Sequence, residues 1–162
     1  MPVLIRYSII LTVENTEVLP LSLNSLARQT IAKNQYEILI VDHSLNDAAW
    51  AVVDNVQKKY PGHTIKYFYK RGANAAGMKN LGIKNSRGEI IFFTDGDCVV
   101  SESWMEELLD GYKKHPDAAG VEGLHESMIS PASKKYFQRY ADFKVYRNIC
   151  RKNLQNVSKK AC

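Results

Sequence analysis

The stretch that most constrains this chain is Ile90-Ile-Phe-Phe-Thr94-Asp95-Gly96-Asp97. An apolar, β-favouring run stops abruptly at two carboxylates separated by one glycine, which reads as a buried strand with acids at its carboxyl end. In open α/β sheets that is where ligands bind. Two carboxylates so placed repel each other unless a cation lies between them. Their hard oxygens suit Mg²⁺ or Mn²⁺, metals that commonly bridge a protein to substrate phosphates. Taken alone, Asp-Gly is first of all a turn dipeptide, so the metal reading needs support from the rest of the chain.

That support starts with the order of elements. Tyr7-Ser-Ile-Ile-Leu-Thr-Val13 is a β-branched run, broken by Glu14-Asn-Thr16, and a helical spacing of Val18, Leu21, Leu23, Leu26 and Ala27 runs on to Gln29 with Pro20 near its start. Tyr36-Glu-Ile-Leu-Ile-Val41 ends at Asp42, and a helix from about 48 to 59, capped by Asn46 or Asp47, stops at Pro61-Gly62. Thr64 to Tyr69 is a third strand. Lys70-Arg-Gly72 and the small residues Ala73 to Gly77 lead to a helix from Met78 to about Lys84, and Asn85-Ser-Arg-Gly88 turns into the strand that opened this section. Beyond Asp97, Ser101 or Ser103 caps a helix carrying Trp104, Leu108, Leu109 and Tyr112, and Ala118-Ala-Gly-Val121 reads as a short fifth strand. Strands alternating with helices predict an α/β fold, a mostly parallel sheet with helices on both faces. Right-handed crossovers then bring Thr12, Glu14, Asp42, the loop around Gly72 and Asp95-Gly96-Asp97 to one edge.

The 162 residues suffice for one domain with a real core, expected over 1–130. Residues 131–162 differ: nine lysines and arginines stand against the single acid Asp142, a net of +8, so the first 130 residues carry −3 of the overall +5. A whole-domain nucleic-acid footprint is therefore not expected. In this tail Tyr136, Tyr140, Phe143, Arg147, Cys150, Leu154 and Val157 recur at i+3/i+4 spacing, predicting a basic amphipathic helix that packs on the domain or a second copy, or lies on an anionic membrane face. Scattered cysteines (Cys98, Cys150, Cys162), a start without signal-peptide layout and the lack of a long apolar stretch give a cytoplasmic expectation, peripheral at the membrane if the tail binds it.

Four ordered motifs carry a resemblance: Tyr7 to Asn15 as an opening strand, Glu37-Ile-Leu-Ile-Val-Asp42, Met78-Lys-Asn-Leu-Gly82, and Gly88-Glu-Ile-Ile-Phe-Phe-Thr-Asp-Gly-Asp97. Over residues 7–126 their order and spacing resemble the GT-A-fold glycosyltransferases of family 2, inverting enzymes that use nucleotide-diphospho-sugars. The resemblance implies a Rossmann-like GT-A sheet, a nucleotide-sugar donor, a glycan, lipid or protein acceptor, and a divalent cation. It implies Asp97 as principal metal ligand, Asp95 at the ribose or metal, and Asp42 at the nucleotide base. It extends donor binding to Thr12, Glu14, Gly72, Lys79, Asn80 and Gly96. Lys79 reads equally as a cation for the diphosphate or an exposed helix lysine, and Asn80 as a contact to the donor or to the structure.

The chain departs from the family pattern at Glu14, where an aromatic or small residue is usual, and at His43, which replaces a second Asp and reads as a surface loop histidine. Lys79 replaces an Arg and gives up a bidentate phosphate grip. Only about 65 residues follow Asp97, so the half that supplies acceptor binding and the general base is short. Glu122 and Glu126 are the local carboxylates, with Glu122 as base candidate and Glu126 as a surface acid. Two other readings follow: a non-catalytic nucleotide-sugar-binding remnant or partner subunit, and a sugar-nucleotidyltransferase. Against the latter, no glycine-rich loop follows the first strand.

Overall fold

A computed structural model of the chain describes residues 4–44 and 48–123. The elements in order are β1 (Tyr7–Val13), α1 (Leu19–Leu26), β2 (Tyr36–Asp42), α2 (Ala48–Lys59), β3 (Thr64–Tyr69), α3 (Ala75–Asn85), β4 (Ile90–Asp95) and α4 (Trp104–Lys114). The strands form one all-parallel sheet in the order β3-β2-β1-β4. The chain divides into two compact units, Met1–Glu107 and Leu108–Cys162. The sheet, α1 to α3 and the first turn of α4 belong to the first unit. In the second, α4 runs on to Lys114, and a Cβ at Gly111 would sit 3.8 Å from Val121 Cγ1. The expected basic helix of 131–162, Glu126, and the proposed caps Asn46 and Asp47 lie outside the described residues.

The strand order explains the apolar runs. β1 and β2 are interior strands, and from Ser8 to Val13 and from Tyr36 to Asp42 every residue is buried, as expected for a parallel sheet covered on both faces. Side chains alternate between those faces. Ile10, Leu39, Val41 and Met78 cluster on the face that α3 covers, and Ile9, Leu11, Ile38 and Ile40 on the other face are equally buried. On that second face Phe92, which pairs in register with Ile9, packs on Trp104 at 5.4 Å. Gly82 lets α3 approach β1: a Cβ there would lie 2.5 Å from Ile10 Cγ2.

At the amino edge, fully buried Glu37 gathers five donated contacts. Ser8 Oγ (2.9 Å) and the Arg87 backbone N–H (2.7 Å) reach Oε1; Arg87 Nε, Arg87 Nη2 and Lys66 Nζ reach Oε2, each at 3.0 Å. Burial alone would push this carboxyl up, but the combined bonds from Lys66, Arg87 and Ser8 hold it below the usual glutamate range. The Gly88 N–H joins the same cluster through Ser8 Oγ at 2.9 Å, and a Cβ on Gly88 would collide with the Ser8 N and Tyr7 C backbone atoms at 2.5 Å.

Three expectations are corrected. Ala118-Ala-Gly-Val121 pairs with no strand among the described residues; the Ala118 N–H instead closes a turn on His115 O at 2.9 Å, and residues 119–121 are exposed. Two alanines and a glycine give a strand little to bury. The first helix ends at Leu26, three residues before Gln29: the Ala27 N–H still reaches Leu23 O at 3.0 Å, but the Arg28 N–H tightens onto Ser25 O at 3.3 Å. The third begins at Ala75, ahead of Met78, because Asn74 caps it, its side chain accepting from the Gly77 N–H at 2.8 Å.

Candidate nucleotide-sugar site

β1, β2 and β3 add outward in one direction, and α3 then crosses back to place β4 on the far side of β1. The reversal makes β1/β4 a topological switch point, and ligands of open α/β sheets bind in the crevice outside the strand ends there. The registers Thr12↔Asp95, Val13↔Asp42 and Asp42↔Tyr69 line up the sequence-expected residues along this carboxyl edge.

Asp95 ends β4 and is exposed, as is Asp97; Gly96 between them is buried. Thr12 Oγ1 donates to Asp95 Oδ1, and Thr12 O accepts the Gly96 N–H at 2.8 Å. Cys98 Sγ lies 3.6 Å from Asp97 Oδ1. Burial pushes that thiol up, and the Asp97 and Asp95 charges push the same way. No group of three or more His, Cys, Asp or Glu side chains is arranged to hold a metal among the described residues. The acid pair offers two hard carboxylates. That fits a cation of the Mg²⁺ or Mn²⁺ type, which usually takes one or two protein carboxylates and completes its shell with phosphate oxygens and water.

The other candidates separate by environment. Asp42 is fully buried, its Oδ2 accepting from Tyr67 OH at 2.6 Å and its Oδ1 from the Ser44 N–H at 2.8 Å. Glu14 lies just past β1 with its side chain 73% exposed, and its Oε1 is 3.4 Å from His43 Nε2. Two of the three departures from the family pattern thus meet. His43 is no free surface histidine: its side chain is only 25% exposed, and Nε2 is buried with no aligned hydrogen bond among the described residues. Gly72 takes a left-handed φ of +69° in the loop before α3, a conformation that favours glycine. On α3, Lys79 is half-buried with Nζ 6.0 Å from the Phe93 ring centre, and Asn80 is exposed without a side-chain hydrogen bond to any described residue. Glu122 is exposed and belongs to the other unit.

Sequence reasoning missed Tyr67, which sits in an apolar strand run, and a set of polar residues on and just after α1. Ser22 Oγ donates to Gly96 O at 2.8 Å, Ser25 Oγ accepts the Val100 N–H at 3.2 Å, and Gln29 Nε2 donates to Ser101 O at 2.8 Å. The spacing of residues 22, 25 and 29 was the available signal: polar positions recurring on one helical face.

An all-parallel sheet with this switch point and acid pair defines a Rossmann-like domain of the GT-A type. The family model "Glycosyl transferase family 2" matches residues 8–159, and the chain belongs to that family. Among curated proteins it is 34% identical over 123 residues to the poly(ribitol-phosphate) beta-N-acetylglucosaminyltransferase TarP of Staphylococcus aureus, covering 72% of this chain and 37% of TarP. It is also 34% identical over 101 residues to the glycosyltransferase AglE of Haloferax volcanii, covering 61% and 33%. The chain thus spans about a third of the length of these relatives. Among solved structures, S. aureus TarS 1–349 in complex with UDP-GlcNAc superposes with a TM-score of 0.56 at 22% identity, over 78% of this chain and 38% of that one. The mannosyltransferase PcManGT of Pyrobaculum calidifontis, in complex with GDP-Man and Mn²⁺, gives 0.59 at 19% identity, over 66% and 32%. These two likenesses show the fold.

Proposed function

We propose that this chain binds a nucleotide-diphospho-sugar at the β1/β4 switch point and transfers its sugar, with inversion, to a glycan, lipid or protein acceptor. The observation that carries the reading is the exposed acid pair at the switch point of a family 2 domain. Asp95 and Asp97 would hold a divalent cation together with the donor's phosphates. When bound, that cation supplies charge neutralisation for the departing diphosphate. With the diphosphate at β4, the nucleoside would lie over the neighbouring ends of β1 and β2, where Glu14 and Asp42 stand. Lys79 and Asn80 serve the donor from α3. Glu122 is the base candidate that would take the acceptor hydroxyl's proton as the oxygen attacks the anomeric carbon.

The share of its relatives that the chain spans favours a second reading, a donor-binding part whose acceptor half lies elsewhere. Calorimetry with UDP-GlcNAc and GDP-mannose, with and without Mn²⁺, followed by a donor-hydrolysis assay, separates the two. Mn²⁺-dependent binding with turnover supports the transferase, and binding without turnover the donor-binding part. No binding of either donor removes both.

No helix among the described residues is long and apolar enough to cross a membrane. For residues 131–162 we propose a separate basic segment that meets an anionic membrane face or a second copy. Liposome co-sedimentation of 1–162 against 1–130 tests the membrane form, and equal pelleting removes it.

A further inference from the structure

The loop that carries the acids is held from α1. The Gly96 peptide group sits between Asp95 and Asp97 and is fixed at both ends: its N–H donates to Thr12 O at 2.8 Å, and its C=O accepts from Ser22 Oγ at 2.8 Å. A serine inside a helix ordinarily turns its hydroxyl back to a carbonyl one turn earlier. Ser25 does so, donating to Ser22 O at 2.8 Å. Fully buried Ser22 instead sends its proton across to the loop. The hold continues in order along the same face. The Val100 N–H donates to Ser25 Oγ at 3.2 Å, Gln29 Nε2 donates to Ser101 O at 2.8 Å, and Gln29 Oε1 accepts the Met105 N–H at 3.0 Å. The Thr30 N–H closes the series on Glu102 O at 2.9 Å. Both loop acids are exposed, and among the described residues only the Thr12 side chain, at Asp95, reaches either from another element. Their mutual placement therefore depends on the backbone between them.

We infer that Ser22 is a positioning residue for the Asp95/Asp97 pair, with Ser25 and Gln29 extending its hold along residues 100–105. Two carboxylates that must share one cation with a diphosphate need fixed separation, and a buried hydrogen bond to the intervening carbonyl supplies it. The inference rests on the donor-binding reading above.

The test measures UDP and GDP affinity of the full chain by calorimetry, with and without MnCl₂, in wild type, Ser22→Ala, Ser25→Ala and Tyr36→Phe. Tyr36→Phe is the control: it too removes buried hydroxyl bonds, Tyr36 OH to Leu26 O at 3.0 Å and one with the Gln29 backbone N–H, neither of which reaches Ser22 or residues 95–97. Ser22→Ala is expected to weaken the Mn²⁺-dependent binding about tenfold and Ser25→Ala about threefold, with metal-free affinity unchanged. Tyr36→Phe is expected to lower the melting temperature comparably and leave the Mn²⁺ dependence intact. Amide exchange at Gly96 is expected to speed up in Ser22→Ala and not in Tyr36→Phe. Equal effects of Ser22→Ala and Tyr36→Phe on Mn²⁺-dependent affinity overturn the inference and leave the donor-binding reading standing. A wild type that binds neither nucleotide with Mn²⁺ overturns that reading and this inference together.

Discussion

The two edges of the sheet use carboxylates in opposite ways. At the amino edge, Glu37 is fully buried and surrounded by donors from Ser8, Lys66 and Arg87. At the carboxyl edge, Asp95, Asp97 and Glu14 are exposed and have few partners. A carboxylate whose oxygens are filled by the protein builds the fold, whereas one left facing solvent is available to a ligand. Asp42 complicates the contrast. It stands at the binding edge yet is buried, with an internal partner on each oxygen.

The largest expected effect tests the building edge. Glu37→Gln removes a buried charge from three cationic and polar partners, and we expect a loss of about 3 kcal/mol in denaturant unfolding. That is the low end for a buried pair, because the Arg87 and Lys66 side chains are 51% and 36% exposed. The folded-state pKa of Glu37 is lowered, so its contribution is full above the unfolded glutamate value and is lost as pH falls through the folded one. The wild-type melting temperature should therefore drop on acidification below the ordinary glutamate range, and the slope should flatten in Glu37→Gln. An unchanged slope would count against the clamp.

The next effect tests the binding edge. We expect Asp95→Asn with Asp97→Asn to weaken Mn²⁺-dependent nucleotide binding roughly a hundredfold, about 2.8 kcal/mol, with unfolding changed by no more than about 0.5 kcal/mol. Calorimetry and a melt on the same sample give both numbers; a large stability loss would mean that these acids build as well. Between the edges, Gly82→Ala forces a methyl against Ile10 and should cost about 2 kcal/mol, with no change in metal dependence, measured by the same pair of assays. The smallest effect decides where Asp42 belongs. Tyr67→Phe should cost about 1 kcal/mol. If nucleotide affinity is unchanged, Asp42 is a builder; if it shifts with the base used, Asp42 also reads the nucleotide.

Much of the framework was legible because it is written in local pattern. Apolar runs that end in acids gave β1, β2 and β4, and Pro20 and Pro61-Gly62 marked a helix start and a helix stop, the latter with Gly62 at φ +89°. What escaped depends on partners distant in the chain. Ser22, Ser25 and Gln29 look like the solvated side of an amphipathic helix until a second segment supplies carbonyls and N–H groups for them to bind. His43 looked like a loop residue because its contact with Glu14 crosses from β2 to β1. Residues 118–121 read as a strand from their place after a helix, but two alanines and a glycine are poor strand formers, and among the described residues they find no pairing partner. Of the candidate site, the strand-end positions of Asp95 and Asp42 were legible from the runs that precede them. The burial that separates Asp42 from the acid pair was not.

The grip on Gly96 has a consequence for how the domain assembles. Its partners Ser22 and Thr12 lie 74 and 84 residues earlier in the chain, and β4 joins a sheet whose other three strands precede it in sequence. Contacts between such distant segments close slowly and late. The acid pair is thus assembled only when the sheet is finished: a chain emerging during synthesis holds β1 to β3 before it holds a place for a donor. A ligand that binds only the completed edge draws the equilibrium toward the folded state by mass action. Under the proposed function, donor and metal together would act as a late fastener on the fold.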